Sequence, residues 1–408
     1  MNFECAQKQL LSLHQQGIEY PCVEIELTEQ PLAFLSRHSH IAKVYWKARD
    51  SDNEYIGLGI SDLLIDSENP LYILRNRIQK YKKPLRYFGG FSFSGKLDLQ
   101  SCFSKNNFWM PTWTIVKTPQ RTTLFYCQPK ASIQSIEQSV FPLKRSFSWE
   151  QWKQMFKEAE HLLQSKLKKI VLAAENYQYS ALNPEHYLQS IADPQNYNFL
   201  LCPDGKSSFL GSSPERLFKI SNNELLTEAL AGTRKRGTTP QEDHELSKNL
   251  LQSIKDLEEH QVVIEGIKKA LKPYSSVLSS DEEPQVRYQK YVQHLYTPIK
   301  ARLNNSFSTA SLDKIFKALH PTPAVCGYPK EEAMRHIQRI EEFDRGWYAG
   351  AVGWVDAQNV EFSVAIRSAL KVNNDSWFWA GAGLIKSSNS LEEWNEIQAK
   401  SIQFRAIQ

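Results

Sequence analysis

The chain has 408 residues, 41% hydrophobic and 23% charged, with 49 basic against 45 acidic side chains for a net charge of +4. Such a balance fits a globular protein large enough for a sizeable core. The charge is spread too evenly for nucleic-acid binding, so Lys80-Tyr-Lys-Lys83 and Arg234-Lys-Arg236 read as solvated faces and turns. Cys5, Cys22, Cys102, Cys127, Cys202 and Cys326 form no C-x-x-C pair, which argues against a thiolate metal site or disulfide scaffold; with no secretory leader or membrane-length apolar run, a cytoplasmic protein is expected.

In chain order, a short N-terminal helix precedes strands at Cys22–Leu27, Ile41–Trp46 and Tyr55–Ile60, the last entered by the turn Asp50-Ser-Asp-Asn-Glu54. A helix from about Pro70 to Lys82 leads to strands at Tyr87–Phe93, Trp109–Val116 and Thr122–Cys127. Ser148-Trp-Glu-Gln151 is a capping box that opens a helix to about Lys166, and the strand Lys169–Ala174 follows. Asn183-Pro-Glu-His186 starts a short helix, then strands fall at Asn198–Cys202, Ser208–Gly211, Arg216–Ile220 and Leu225–Ala231 around an Asn222-Asn223 turn.

Thr239-Pro-Gln-Glu242 reads as a second capping box that opens the longest helix, to about Leu271, with the stripe Leu246, Leu250, Ile254, Leu257 and Ile264. Ser275–Glu283 reads as a polar loop. Helices follow at Leu312–Leu319, Glu331–Glu342 and from about Leu391, with strands and turns between the last two. Without a regular βαβ period, the fold class is α+β, with large, mostly antiparallel sheets and helices packed outside. Residues 1–145 form a β-rich scaffold portion and 146–408 a second portion, the two expected to interlock as one unit.

Several polar residues occupy positions where chemistry is plausible. Lys169 stands at the mouth of an apolar strand, where it is either a desolvated base or a surface lysine at a strand end. Glu215, in Gly211-Ser-Ser-Pro-Glu215, is either a buried acid or a solvated turn residue. Glu259 falls opposite the apolar stripe of its helix and reads as exposed. Glu396 pairs naturally with Lys400 one turn on, and the two glutamates suit an oxygen-ligand cation only if their helices converge. Arg367 sits in the middle of an otherwise apolar strand, Ser363–Leu370, and needs an anionic partner, either an internal carboxylate or a ligand. Five of the 17 glycines lie between Gly346 and Gly383, and Ala380-Gly-Ala-Gly383 reads as a turn able to offer consecutive N–H groups to a carboxylate.

The order and wording of Lys169-Ile-Val-Leu172, Phe209-Leu-Gly-Ser-Ser-Pro-Glu-Arg-Leu217, Leu230-Ala-Gly-Thr-Arg-Lys-Arg-Gly237, Lys255-Asp-Leu-Glu-Glu-His260, His320-Pro-Thr-Pro-Ala-Val-Cys-Gly327 and Phe343-Asp-Arg-Gly-Trp-Tyr-Ala-Gly350 resemble the chorismate-utilising enzymes. Within them, the sequence is most similar to the isochorismate synthases of the menaquinone-pathway type, over about Lys169–Lys400. The resemblance implies an anthranilate-synthase-component-I-like fold, with the second portion binding chorismate. It also implies a magnesium-dependent isomerisation in which water attacks C2 and the C4 hydroxyl leaves.

By the same resemblance, Lys169 is the general base, Glu215 the general acid, and Glu259 and Glu396 the magnesium ligands, so Glu259 should face the cleft after all. Arg367, Tyr348 and the amides near Gly381 and Gly383 would hold the enolpyruvyl carboxylate, while Ala231, Gly232, Thr233, His294, Ala324 and Lys400 would line the cavity. The ammonia-using members carry glutamine where Lys169 stands, so no glutaminase subunit is expected, and the chain is expected to act as a monomer or homodimer. The aminodeoxychorismate enzymes carry a nucleophilic lysine where Ala231 stands. Salicylate synthases tend to threonine where Ala324 stands, so Ala324 favours stopping at isochorismate; salicylate synthesis and a siderophore pathway are the alternatives, with a non-catalytic binding subunit as a remote one.

Overall fold

The computed structural model describes residues 1–405 apart from 80, 82–84, 96–102, 104, 131–143, 145 and 305–310. Cys102 and most of the Lys80–Lys83 run therefore lie outside the described residues, as does the expected end of the helix begun at Pro70, which is described over Pro70–Ile78. Two antiparallel sheets form the body of the molecule. In the eleven-stranded sheet, five strands from residues 22–126 continue directly into six from residues 169–384, the join being Lys43–Lys47 against Tyr197–Cys202. In the ten-stranded sheet the corresponding join is Tyr87–Phe91 against Ala351–Val355.

Alternation along the strands divides the apolar side chains between two cores. Val44 and Trp46 point into a core shared by both sheets, with Phe88, Phe108, Phe199, Phe218 and Phe362. Tyr45, between them, points to the other side of the eleven-stranded sheet. There Ala6 and Leu10 of helix Phe3–Gln15, Leu35 of Pro31–Ser36, Leu188 of Pro184–Ile191 and Phe404 of Ser390–Arg405 cover the outer face. Among the described residues, no helix is long and apolar enough to cross a membrane.

Several sequence expectations shift for local reasons. The single strand expected over Trp109–Val116 is two strands, Asn106–Met110 and Trp113–Lys117, in different sheets. Pro111, with no N–H to contribute to a ladder, marks the change. The Ser148 capping box is formed in both directions. Thr239 caps its helix by accepting from Glu242 N at 3.2 Å, but Glu242 turns its carboxylate to Thr238 N and Oγ, so the box is half formed.

The long helix breaks at Ser253, which leaves the helical conformation (ψ 110°) and caps a new helix, Ile254–Leu271, by accepting from Asp256 N at 3.3 Å. The break rotates the face that is buried. Asp256, His260, Val263 and Ile267 now point inward while Ile254 is 76% exposed. The expected loop Ser275–Glu283 contains the strand Ser275–Ser280, paired with a strand the sequence reading missed altogether, Val292–Leu303.

Candidate active site

The site lies where the chain passes between the sheets. Ser207–Ser213 belongs to the eleven-stranded sheet and Arg216–Ser221 to the ten-stranded one, and Pro214-Glu215 is the crossing. Beside it, Val360–Val364 and Ser368–Val372 make the reverse crossing through Ala365-Ile366-Arg367. The two crossings are stitched together by Val364 N to Glu215 O (3.0 Å), Ser213 Oγ to Val364 O (2.6 Å) and Ser212 N to Arg367 O (3.0 Å). Arg367 is thus not in the middle of a strand, as the sequence suggested. It occupies the left-handed region at φ 52°, a costly conformation for a non-glycine residue that the flanking strands impose.

Glu215, Ala231, Gly232, Thr233, Glu259, His294, Ala324, Tyr348, Arg367, Gly381, Gly383, Glu396 and Lys400 all line one cavity, together with Val171, Pro214, Leu230, Ile366 and Trp379. It encloses about 670 Å³ not filled by protein atoms, part of it open to solvent. The second group escaped the sequence reading because apolar walls carry no chemical signature. Lys169 does not line the cavity. Its side chain is fully buried, with Nζ 2.9 Å from Glu259 Oε1. Glu259, read by periodicity as exposed, is instead 13% exposed, because the break at Ser253 resets the phase of its helix.

Each polar group is set by its surroundings. Burial pushes the Glu215 carboxyl up to about 8, helped by the charge of Glu228 and opposed by Lys169, a long contact from Thr322 Oγ (3.5 Å) and Arg49. His294 is held neutral, its pKa lowered to about 3 by burial and by Arg367 and Lys400. Its Nδ1 lies 3.2 Å from both Gly232 O, which can only accept, and Thr233 Oγ1; with the proton on Nδ1, the unpartnered Nε2 is an acceptor. Gly232, at φ 74°, is the extra residue of a bulge opposite Leu295 and His294, and this bulge delivers its carbonyl to the imidazole.

Burial lowers the Arg367 pKa to about 10. Its Nη1 reaches Lys400 O at 3.2 Å, and Nη2 is buried without a partner. Tyr348, its hydroxyl pushed up to about 12 by burial, stacks on Trp379 at 5.7 Å. The Ala380–Gly383 stretch is not a turn; it lies inside the strand Asp375–Leu384, with Gly383 opposite Val171. Successive N–H groups of a strand point to opposite edges, so consecutive amides cannot converge on one carboxylate there. Gly381 and Gly383, two residues apart, turn their N–H groups to the same edge of the strand, and both also leave space. A Cβ on Gly383 would collide with Glu259 Oε1 and stand 2.8 Å from Lys169 Cε, and one on Gly381 would stand 3.3 Å from the Tyr348 hydroxyl.

The helices carrying Glu259 and Glu396 converge, tied by Lys255 Nζ to Glu393 Oε1 at 2.6 Å. Glu396 sits 2.5 Å from Lys400 Nζ, and Lys400 also donates to Gly381 O at 3.0 Å. Burial would raise the Glu396 pKa, but Lys400 and then Lys255 hold it below the usual range. Glu393 is pushed up by burial and by the charges of Glu396 and Glu259. No cluster of three or more potential ligands is preformed among the described residues. A magnesium ion, however, takes one or two protein carboxylates and completes its shell with water and substrate. Glu259 and Glu396, two carboxylates lining one cavity, fit such an ion.

The sequence matches the family described as "Chorismate binding enzyme" over residues 8–407. It is 45% identical over 213 residues to the salicylate biosynthesis isochorismate synthase of Pseudomonas aeruginosa, an alignment covering 52% of this chain and only 44% of that relative's length. It is 33% identical over 392 residues to isochorismate synthase MenF of Haemophilus influenzae, covering 91% of this chain and 87% of the relative. The solved structure of the menaquinone-specific isochorismate synthase MenF from Escherichia coli superposes with a TM-score of 0.82 at 26% identity, covering 98% of this chain and 99% of that one.

Proposed function

We propose that this chain, which belongs to the chorismate binding enzyme family, is an isochorismate synthase that converts chorismate to isochorismate, with menaquinone biosynthesis as the destination. The observation that carries the reading is the polarity of the cavity. Its lining holds both Arg367, buried with no ion-pair partner among the described residues, and the carboxylates of Glu259 and Glu396. A ring bearing two carboxylates suits such a lining, one carboxylate on Arg367 and Tyr348, the other towards an ion that the two glutamates would hold.

In the reaction, the oxygen of water bonds to C2, the ring double bonds shift, and the C4–O bond breaks. Glu215, protonated below about pH 8, gives its proton to the departing hydroxyl. Lys169 takes the proton lost by the attacking water. For that its side chain must be a neutral amine, since an ammonium has no lone pair to offer, and must reach past Glu259, whose Oε1 lies 2.9 Å from Nζ. A magnesium ion held by Glu259 and Glu396 would supply charge neutralisation for the ring carboxylate. His294 Nε2 is available to accept a hydrogen bond from a substrate hydroxyl.

Product analysis after incubation with chorismate and magnesium tests the reading. Isochorismate alone is expected, with Lys169→Ala and Glu215→Ala inactive and Glu259→Ala or Glu396→Ala raising the magnesium requirement. Salicylate and pyruvate from freshly purified protein would replace it with a salicylate synthase.

A further inference from the structure

Behind Glu215 lies a buried ion pair with no counterpart in the chemistry above. Arg49, on the turn after strand Lys43–Lys47, forms a two-pronged pair with Glu228 of strand Glu224–Lys235; the shorter prong is Nη2 to Oε2, the other Nη1 to Oε1 at 2.6 Å. Both side chains are sealed from solvent, at 3% and 1% exposure. The same Nη1 also donates to the carbonyl of Pro214. The same Glu228 oxygen accepts from the backbone N–H of Arg216 at 2.8 Å. One ion pair therefore grips the residues on either side of Glu215. Asp50, next in sequence to Arg49, pairs with the side chain of Arg216 and fastens the same turn a third time.

We propose that Arg49 and Glu228 are positioning residues for the reaction, a clamp that fixes the backbone on both sides of Glu215 and so aims its carboxyl into the cavity. The proposal rests on the reading of Glu215 as the general acid. It gives the first portion of the chain a part in a site built otherwise from residues beyond 169. A buried ion pair is a poor way to gain stability, because desolvating both charges offsets most of their attraction, so its presence here calls for another use. Glu228 and Arg49 also act on Glu215 electrostatically and in opposite senses; the other groups bearing on it are Lys169 and the Thr322 hydroxyl.

Charge and geometry can be separated by two near-isosteric variants, assayed for kcat, KM, pH profile and thermal midpoint. Glu228→Gln keeps the side chain's shape and one acceptor oxygen but loses the negative charge, so the alkaline limb of kcat should move down by ~1 pH unit. Arg49→Lys keeps the charge but cannot hold Glu228 and Pro214 O together. Its kcat should fall about tenfold with the limb unmoved and KM for chorismate within twofold. If either variant fails to fold, Arg49→Gln combined with Glu228→Gln buries no lone charge, and its kcat should fall at least as far. Lowered midpoints with an unmoved limb in Glu228→Gln and unchanged kcat in Arg49→Lys would reduce the pair to a structural tie and overturn the proposal, as would wild-type kcat in the double variant. Wild-type turnover in Glu215→Gln would instead remove the acid role on which the proposal stands.

Discussion

Glu215 and Gly383 show how far a single position can be pushed by its neighbours. A carboxyl at about 8 is protonated at neutral pH and can donate; as pH rises through that value the donor is lost. The kcat profile is therefore expected to fall above about pH 8, and Glu215→Gln to be inactive. At Gly383 the space a methyl would take is already held by the Glu259 carboxylate and the Lys169 side chain. Gly383→Ala should lower kcat by about a hundredfold or more while leaving the circular dichroism spectrum intact, because displacement of a reacting group by about 1 Å has that effect. The sequence showed Gly383 as conspicuous but placed it in a turn, since a G-x-G pattern looks the same in a turn and inside a strand packed against large side chains.

At the scale of elements, the break at Ser253 decides which residues of the following helix reach the site. Had the helix run unbroken from Thr239, the stripe through Leu246 and Leu250 would have buried Ile254 and left Glu259 outside. The cap at Ser253 restarts the phase and places Glu259 beside Lys169. Ser253→Ala should cost about 1 kcal/mol in urea unfolding through loss of the cap and should weaken magnesium activation, since Glu259 is two turns away on the same helix. A serine mid-helix is weak as a stop signal, which is why periodicity alone ran past it. The missed strand Val292–Leu303 is a similar case. Ile299, Ala301 and Leu303 alternate with charged Lys300 and Arg302, but Pro298 interrupts the pattern and argues against a strand.

At the scale of the molecule, both sheets are continuous across the two portions of the chain. Residues 146–408 expressed alone would expose the strand Tyr197–Cys202 along the edge now covered by Lys43–Lys47, and Ala351–Val355 along the edge covered by Tyr87–Phe91. Exposed apolar edges pair with other copies, so that fragment is expected in the insoluble fraction, and co-expression with residues 1–145 should return part of it to solution.

What the sequence by itself determined was local or verbal: the capped helices, the Asn222-Asn223 turn with both residues at positive φ, and a run of motifs in order that pointed to the family and to Lys169, Glu215, Glu259 and Glu396. Only the tertiary structure decided that Glu215 and Arg367 stand at two adjacent crossings between sheets. It also decided that Lys169 is sealed behind Glu259, and that Arg49, far off in the sequence, grips the turn that carries Glu215. The physical reason is one of range. Capping, turns and periodicity act within a few residues, whereas a crossing, a buried ion pair and the burial that shifts a pKa depend on strands brought together from more than a hundred residues apart.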